Sequence, residues 1–315
     1  DVRPWELTRL TITGDESRRT SLHTCPGEIE KLATGFEYVE GMARDSKGNI
    51  YFSEQRMRRI YKWDVDTERL SLVADFPWQP LSLACDTQDN LLVFFKYIPQ
   101  PGYLINGQQE TVAELPDAAN TTFSHWGNSG FATWVYTIDT QKPEETIRLL
   151  ERKPISELKE VTKAIYPSHR WRDLHDFDEI SLWRPEYCFV APDEETVVPE
   201  YYDFARSSSV QTAIPGQPLY ASDEYNHRLV RMDVNADGST SNLTHFANVG
   251  EFGIAVDRNA RVYVADGYIY VYTKTGELEK IIDVPERPTS LVVGGKEDNI
   301  LFITARSSLY RYVIQ

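Results

Sequence analysis

The densest run of chemically competent side chains is Tyr166-Pro167-Ser168-His169-Arg170-Trp171-Arg172-Asp173-Leu174-His175-Asp176. Two His, two Arg and two Asp in eleven positions exceed what loop solubility requires. His169 and His175 are the side-chain type that exchanges a proton near neutral pH, and Asp176 is spaced to orient one of them. Arg170 and Arg172 offer a bidentate grip on a carboxylate, and Trp171 a flat face for a sugar ring. The expected acid/base unit is therefore His169, His175, Asp176 and Arg172, with Arg170 and Trp171 binding substrate. The same residues also suit salt bridges and a loop anchor around a buried Trp, and both readings stay open. His125, Trp126 and Asn128 precede an apolar pattern starting at Ala132 and are expected to bind substrate in the same space.

Other chemistries lack their spacing. Ser129 lies between Gly127 and Gly130, which is not the Gly-x-Ser-x-Gly nucleophile elbow. Phosphate loops, zinc spacings and the dinucleotide fingerprint are missing as well. Asp223-Glu224 and Asp266-Gly267 follow strand patterns, where a turn-forming Asp needs no metal to explain it. His23, His227 and His245 fall near turns or outer strands.

The elements that must position these groups are strands. One phrase recurs, an Asp, a short polar turn and an alternating apolar run, at Asp45–Phe52, Asp86–Val93 and Asp257–Val264. Its Gly, Asn and Asp residues tolerate positive φ, so each copy reads as a hairpin. Weaker copies stand at 132–136, 187–190, 219–221 and 300–303. The steps from Ile50 to Leu91, Leu219 to Val262 and Val262 to Ile300 are 41, 43 and 38 residues, the length of a four-stranded propeller blade. The fold class is all-β, a β-propeller in one domain spanning 1–315. Seven blades are favoured by the spacing, because 128 residues separate Leu91 from Leu219. Six is the alternative if the irregular stretch 100–175 holds an insertion. Residues 1–36 read as an extension whose segment 28–33 adds an outer strand to the blade ending at 309–313, closing the ring. Only 155–165 carries helical spacing.

With 315 residues, 18 Tyr and 7 Trp, the chain is long enough for a sizeable core and leans towards strand. A net charge of -15 argues against a nucleic-acid partner, and no apolar run reaches the roughly 18 residues of a membrane span. Asp1 in place of Met suggests a removed leader and a secreted or periplasmic location. Cys25, Cys85 and Cys188 match no metal or redox spacing.

Two stretches resemble a known family. They are Val39-Glu40-Gly41-Met42-Ala43-Arg44-Asp45 running into Gly48–Ser53, and Val262–Gly267 through Pro288-Thr289-Ser290-Leu291 to Ile303–Arg311. These segments resemble the SMP-30/gluconolactonase group of metal-dependent sugar-lactone hydrolases, which are six-bladed propellers. The resemblance implies a divalent cation (calcium, zinc or manganese) on the propeller axis, held by a Glu of the first blade and by an Asn and an Asp of later ones. Glu40 takes the position of that Glu. Ser208, Phe252 and Ser290 stand at the other matching positions, and Glu251, one residue before Phe252, is the second expected ligand.

Three functions follow as expectations. The first is metal-dependent hydrolysis of a sugar lactone, and the second is cleavage of an acidic, uronic-acid glycan by a lyase built on the His169 to Asp176 cluster. The third is a non-enzymatic carbohydrate-binding propeller. The expected partner is a small sugar or acidic glycan.

Overall fold

A computed structural model describes residues 29–75, 80–85, 88–97, 218–223, 226–234 and 240–315, together with strands at 103–105, 108–110, 132–138, 147–149, 151–152, 186–190, 196–201 and 207–210. After β1 (Ile29–Thr34), the first full sheet is β2 (Val39–Arg44), β3 (Ile50–Glu54), β4 (Arg59–Asp64) and β5 (Arg69–Asp75), an antiparallel meander. The second holds β6 (Pro80–Cys85), β7 (Leu91–Tyr97), β10 (Ala132–Ile138) and β11 (Ile147–Leu149), with a two-stranded ribbon of β8 (Tyr103–Ile105) and β9 (Gln108–Glu110) inserted between β7 and β10. A three-stranded sheet follows, of β12 (Glu151–Arg152), β13 (Glu186–Val190) and β14 (Thr196–Tyr201). The next two are meanders: β15 (Ser207–Val210) to β16 (Leu219–Asp223), β17 (Arg228–Val234) and β18 (Thr240–Ala247), then β19 (Ile254–Val256), β20 (Val262–Asp266), β21 (Tyr268–Tyr272) and β22 (Leu278–Ile282). The last contains β23 (Pro288–Gly294), β24 (Ile300–Ala305) and β25 (Ser308–Val313).

The chain is an all-β propeller. Burial follows position within each sheet: every residue of β3 and β16 is buried, while β5 is largely exposed. Middle strands are covered on both faces by neighbouring sheets and so read as continuous apolar runs. Among the described residues there are six sheets of three or four strands. The spacing predicts a separate blade step for the weak copy at 132–136. It lies in β10 and pairs with β7 over its whole length, Ala132 opposite Tyr97 and Ile138 opposite Leu91. Its strand character was legible locally, but its partner is set by non-local pairing. The helical pattern at 155–165 lies outside the described residues, and no helix among those described is long and apolar enough to cross a membrane.

The recurring Asp phrase is a turn cap. Asp45 Oδ1 accepts the N–H groups of Lys47 (3.0 Å) and Asn49 (2.8 Å), and Oδ2 accepts Asn49 Nδ2 (2.8 Å). Asp257 repeats this with the N–H groups of Asn259 and Arg261, both at 2.9 Å, and adds Arg261 Nε (2.7 Å) and the Tyr263 hydroxyl (3.1 Å). Burial, reinforced by the Asp257 charge, pushes the Tyr263 phenol above its usual range. These turns also dock neighbouring sheets. Gly295 N donates to Gly48 O at 3.2 Å, and a Cβ on Gly48, whose φ is +84°, would sit 2.4 Å from Gly295 O.

The ring-closing ladder joins β1 to β25, antiparallel from Ile29 opposite Tyr312 to Thr34 opposite Ser308. Arg311 ties it outward, from Nε to Glu30 (2.8 Å) and from Nη1 to Glu68 (2.6 Å). Glu286, on the link into β23, accepts from Ser307 N (3.1 Å), Ser307 Oγ (2.8 Å), Ser308 Oγ (2.5 Å), Tyr310 Oη (2.8 Å) and Lys31 Nζ (3.3 Å). Burial alone would raise its pKa, but the bonds from Ser308, Ser307 and Tyr310 outweigh that and hold the carboxyl at about 2. A depressed folded-state pKa gives stability that is fully present above the unfolded value of 4.5 and is lost as pH falls towards about 2. Glu286→Gln is expected to cost roughly 2 kcal/mol at neutral pH. It should also flatten the acid limb of the stability curve between those two values, checked by urea unfolding at a series of pH values.

Candidate active site at the axial end of the inner strands

Strands of successive sheets lie side by side: the first strands β19 and β23, β23 and β2, and β2 and β6 are in contact, and β16, the second strand of its sheet, meets β19. A register shift recurs near the start of the first strand in four of the sheets. The register shifts between Glu40 and Ala43 in β2, Pro80 and Ser82 in β6, Ser207 and Ser209 in β15, and Pro288 and Ser290 in β23. Bulges of this kind re-aim side chains at the rim of a sheet. Gly41, in the left-handed region at φ +62°, allows the one that follows Glu40.

Glu40 is only 3% exposed, on the bulged start of β2. Its backbone carbonyl accepts Ser53 Oγ at 3.0 Å. The neighbouring sheet is pinned to it by short polar links: Thr289 Oγ1 donates to Val39 O at 2.6 Å, and Met42 N donates to Ser290 Oγ at 3.3 Å. Thr289 lies in the β23 bulge, and its Oγ1 also stands 3.0 Å from Thr304 O in β24. On the other side of β23, Gly253 N donates to Thr289 O at 3.3 Å. A Cβ on Gly253 would meet Ser290 Cα at 2.7 Å and Leu291 N at 2.8 Å, so the two starts approach backbone to backbone.

Glu251, 8% exposed, is ion-paired to Arg287 through Oε1 and Nη2. The Arg287 guanidinium lies 5.1 Å from the centroid of the Phe252 ring, a cation–π geometry, and Phe252 is itself buried in the core between the last two sheets. The backbone here is fixed by β20: Phe252 N donates to Ala265 O, and Ala265 N to Gly253 O, both at 2.9 Å. Arg287 Nε is buried with no hydrogen-bond acceptor among the described residues. An unmet buried donor of this kind costs about 1–3 kcal/mol.

The structure thus describes both expected metal ligands, Glu40 and Glu251, at the starts of inner strands or just before them. The donor set around them departs from a three-oxygen cation site. Phe252 has no lone pair to give, Ser290 offers only a neutral hydroxyl that also accepts Met42 N–H, and the Glu251 charge is compensated by Arg287, whose own positive charge opposes a cation nearby. No cluster of three His, Cys, Asp or Glu side chains suited to a metal occurs among the described residues. The described residues do not fit the cation that the resemblance implies.

Elsewhere the turn readings are matched by geometry. Asp223, fully buried, accepts Asn226 Nδ2 (2.8 Å) and Arg228 Nε (3.1 Å) and closes the turn from β16 to β17. Asp266 Oδ2 accepts Gly250 N at 3.0 Å and stands 3.7 Å from Nδ1 of the exposed His227. His169, Arg170, Trp171, Arg172, His175 and Asp176, and likewise His125, Trp126 and Asn128, lie outside the described residues. The residue that sequence reasoning passed over is Arg287. Its signal was present, since it immediately precedes the Pro288-Thr289-Ser290-Leu291 phrase leading into an inner strand.

Residues 203–307 match the family described as SMP-30/Gluconolactonase/LRE-like region. No curated protein matches the chain. Among solved structures, a gluconolactonase from Xanthomonas campestris is similar at 16% identity and a TM-score of 0.63, covering 91% of this chain and 89% of its own. A calcium-binding protein, regucalcin, from Agrobacterium tumefaciens follows at 15% identity and a TM-score of 0.62, with 90% and 92% covered. A luciferin-regenerating enzyme is similar at 13% identity and a TM-score of 0.60, with 90% and 94% covered. At these identities the likeness is one of fold. Gly253→Ala, which would push apart the two inner-strand starts bracketing the site, is expected to cost roughly 1–3 kcal/mol, measured by urea denaturation.

Proposed function

We propose that this propeller, whose residues 203–307 form an SMP-30/gluconolactonase/LRE-like region, hydrolyses a sugar lactone at the axial end of its inner strands. The observation that carries this reading is the burial of the Glu40 carboxylate on the bulged start of β2, one sheet away from the Glu251–Arg287 pair. This buried carboxylate occupies the position where the resembling family places a working Glu.

Opening a lactone needs a base for the attacking water and a positive or hydrogen-bonding group for the charge that develops on the carbonyl oxygen. In this reading Glu40 takes the water proton while the water oxygen bonds the carbonyl carbon. The ring C–O bond then breaks, and the proton passes to the departing alkoxide. The product is a hydroxy acid, and charge balances at each step. Because the described donors do not suit a cation, no step is assigned to one.

Glu40→Gln keeps the shape and removes the base. Turnover on a panel of aldonolactones, followed as acid release in a pH-stat, is expected to fall by about 10²–10⁴-fold. Unchanged turnover would remove Glu40 from the chemistry. A flat trace for the wild-type protein across the whole panel would favour the binding propeller instead.

A further inference from the structure

We infer that Arg287 supplies the positive charge at this axial end, so that the site holds the carbonyl or carboxylate oxygens of an aldonolactone and its aldonate product without a divalent cation. The substrate class rests on the lactone reading above; the anion site does not.

Four features meet at this residue. Its guanidinium is clamped from two directions, by the Glu251 carboxylate through Nη2 and by the Phe252 ring face at 5.1 Å. That leaves it little freedom to swing away, and a preorganised cation costs less to use than a mobile one. Its Nε is buried with no acceptor among the described residues, so one donor of its fork is still to be satisfied. The side chain as a whole remains 24% exposed, so part of it other than Nε is open to a ligand. Finally, the positions where the resemblance calls for metal-binding Asp and Asn hold Phe252 and Ser290. The first is the platform beneath Arg287, and the second accepts Met42 N–H. The Phe that stands where the resemblance calls for a metal-binding Asp is thus the one that seats a permanent cation of the protein's own. A guanidinium matches two carboxylate oxygens bidentately, which a sugar hydroxyl cannot exploit.

The test is calorimetric titration of D-gluconate and of neutral D-glucitol into the whole chain, with and without chelator, in parallel with lactone turnover. Wild type, Arg287→Met and Arg287→Lys are compared, each first confirmed folded by circular dichroism. The expected result is gluconate binding that survives chelation, weakens at least 10-fold in Arg287→Met and is partly restored in Arg287→Lys, with glucitol not bound. Calcium or manganese titrated alone should give no stoichiometric heat. Gluconate binding lost on chelation would overturn the inference and leave the lactone reading standing. So would turnover that is indifferent to Arg287→Met. Gluconate bound through Arg287 with no lactone turned over would sustain the inference and defeat the lactone reading. If Arg287→Met does not fold, the chelation arm and Arg287→Lys decide alone, because a metal-held anion would ignore the Lys exchange and respond to chelator.

Discussion

The β1–β25 ladder is the constraint on which the rest depends. A meander of sheets arranged around an axis places the inner strands at defined spacing only if first and last sheets are locked together, and here the lock is a strand contributed by the other end of the chain. Sheets β2–β5 and β23–β25 share the cluster of Phe36, Val39, Met42, Ile50, Phe52, Trp63, Phe302 and Leu309, so burial and closure reinforce each other. Glu286 concentrates this in one carboxylate: four of its donors come from β25 and the turn before it, and a fifth, Lys31, from β1. It stands beside Arg287, so the clasp and the proposed anion site are consecutive residues on one link.

That adjacency explains how the axial end keeps its geometry. Glu286 fixes the link below β23, Pro288 fixes φ at the start of the strand, and Thr289 reaches across to Val39 O. Arg287 lies inside a run in which each neighbour is held separately. The bulge sets Thr289 between two sheets, its Oγ1 2.6 Å from Val39 O in the next and 3.0 Å from Thr304 O in its own. Glu40 lies next to Val39, the acceptor of that link, so its position is set by the last sheet as much as by its own.

How much of this was legible in the sequence depended on the range of the interaction. The Asp45 and Asp257 turns are local, with carboxylate, capped N–H groups and Tyr hydroxyl all within six residues, and the recurring phrase therefore stated the blade plan directly. The outer strand expected at 28–33, because a propeller must close its ring, corresponds to β1, which pairs with β25. Strand 132–138 was legible as strand but not as part of the second sheet, since its pairing with β7 crosses an inserted ribbon. Glu40 was legible through resemblance. Arg287 was signalled only by its place before the Pro288-Thr289-Ser290-Leu291 phrase, and its pairing with Glu251 and Phe252, some 35 residues away in sequence, was not legible.

The exchange of donors at the axial end also has an electrostatic logic. A buried carboxylate such as Glu251 is costly on its own, and a cation or a guanidinium can offset that cost. A cation demands several oxygen ligands converging from different strands, each already deprotonated. A guanidinium needs one carboxylate and one flat apolar face, and these come here from the adjacent residues Glu251 and Phe252. Loss of a single distant ligand would empty a metal site, whereas the Arg pair depends only on two neighbouring sheets that the core cluster of Phe252, Leu291 and Tyr310 already holds together. In the proposed site Arg287 supplies the positive charge beside Glu251 and Phe252, on the link that also carries the Glu286 clasp.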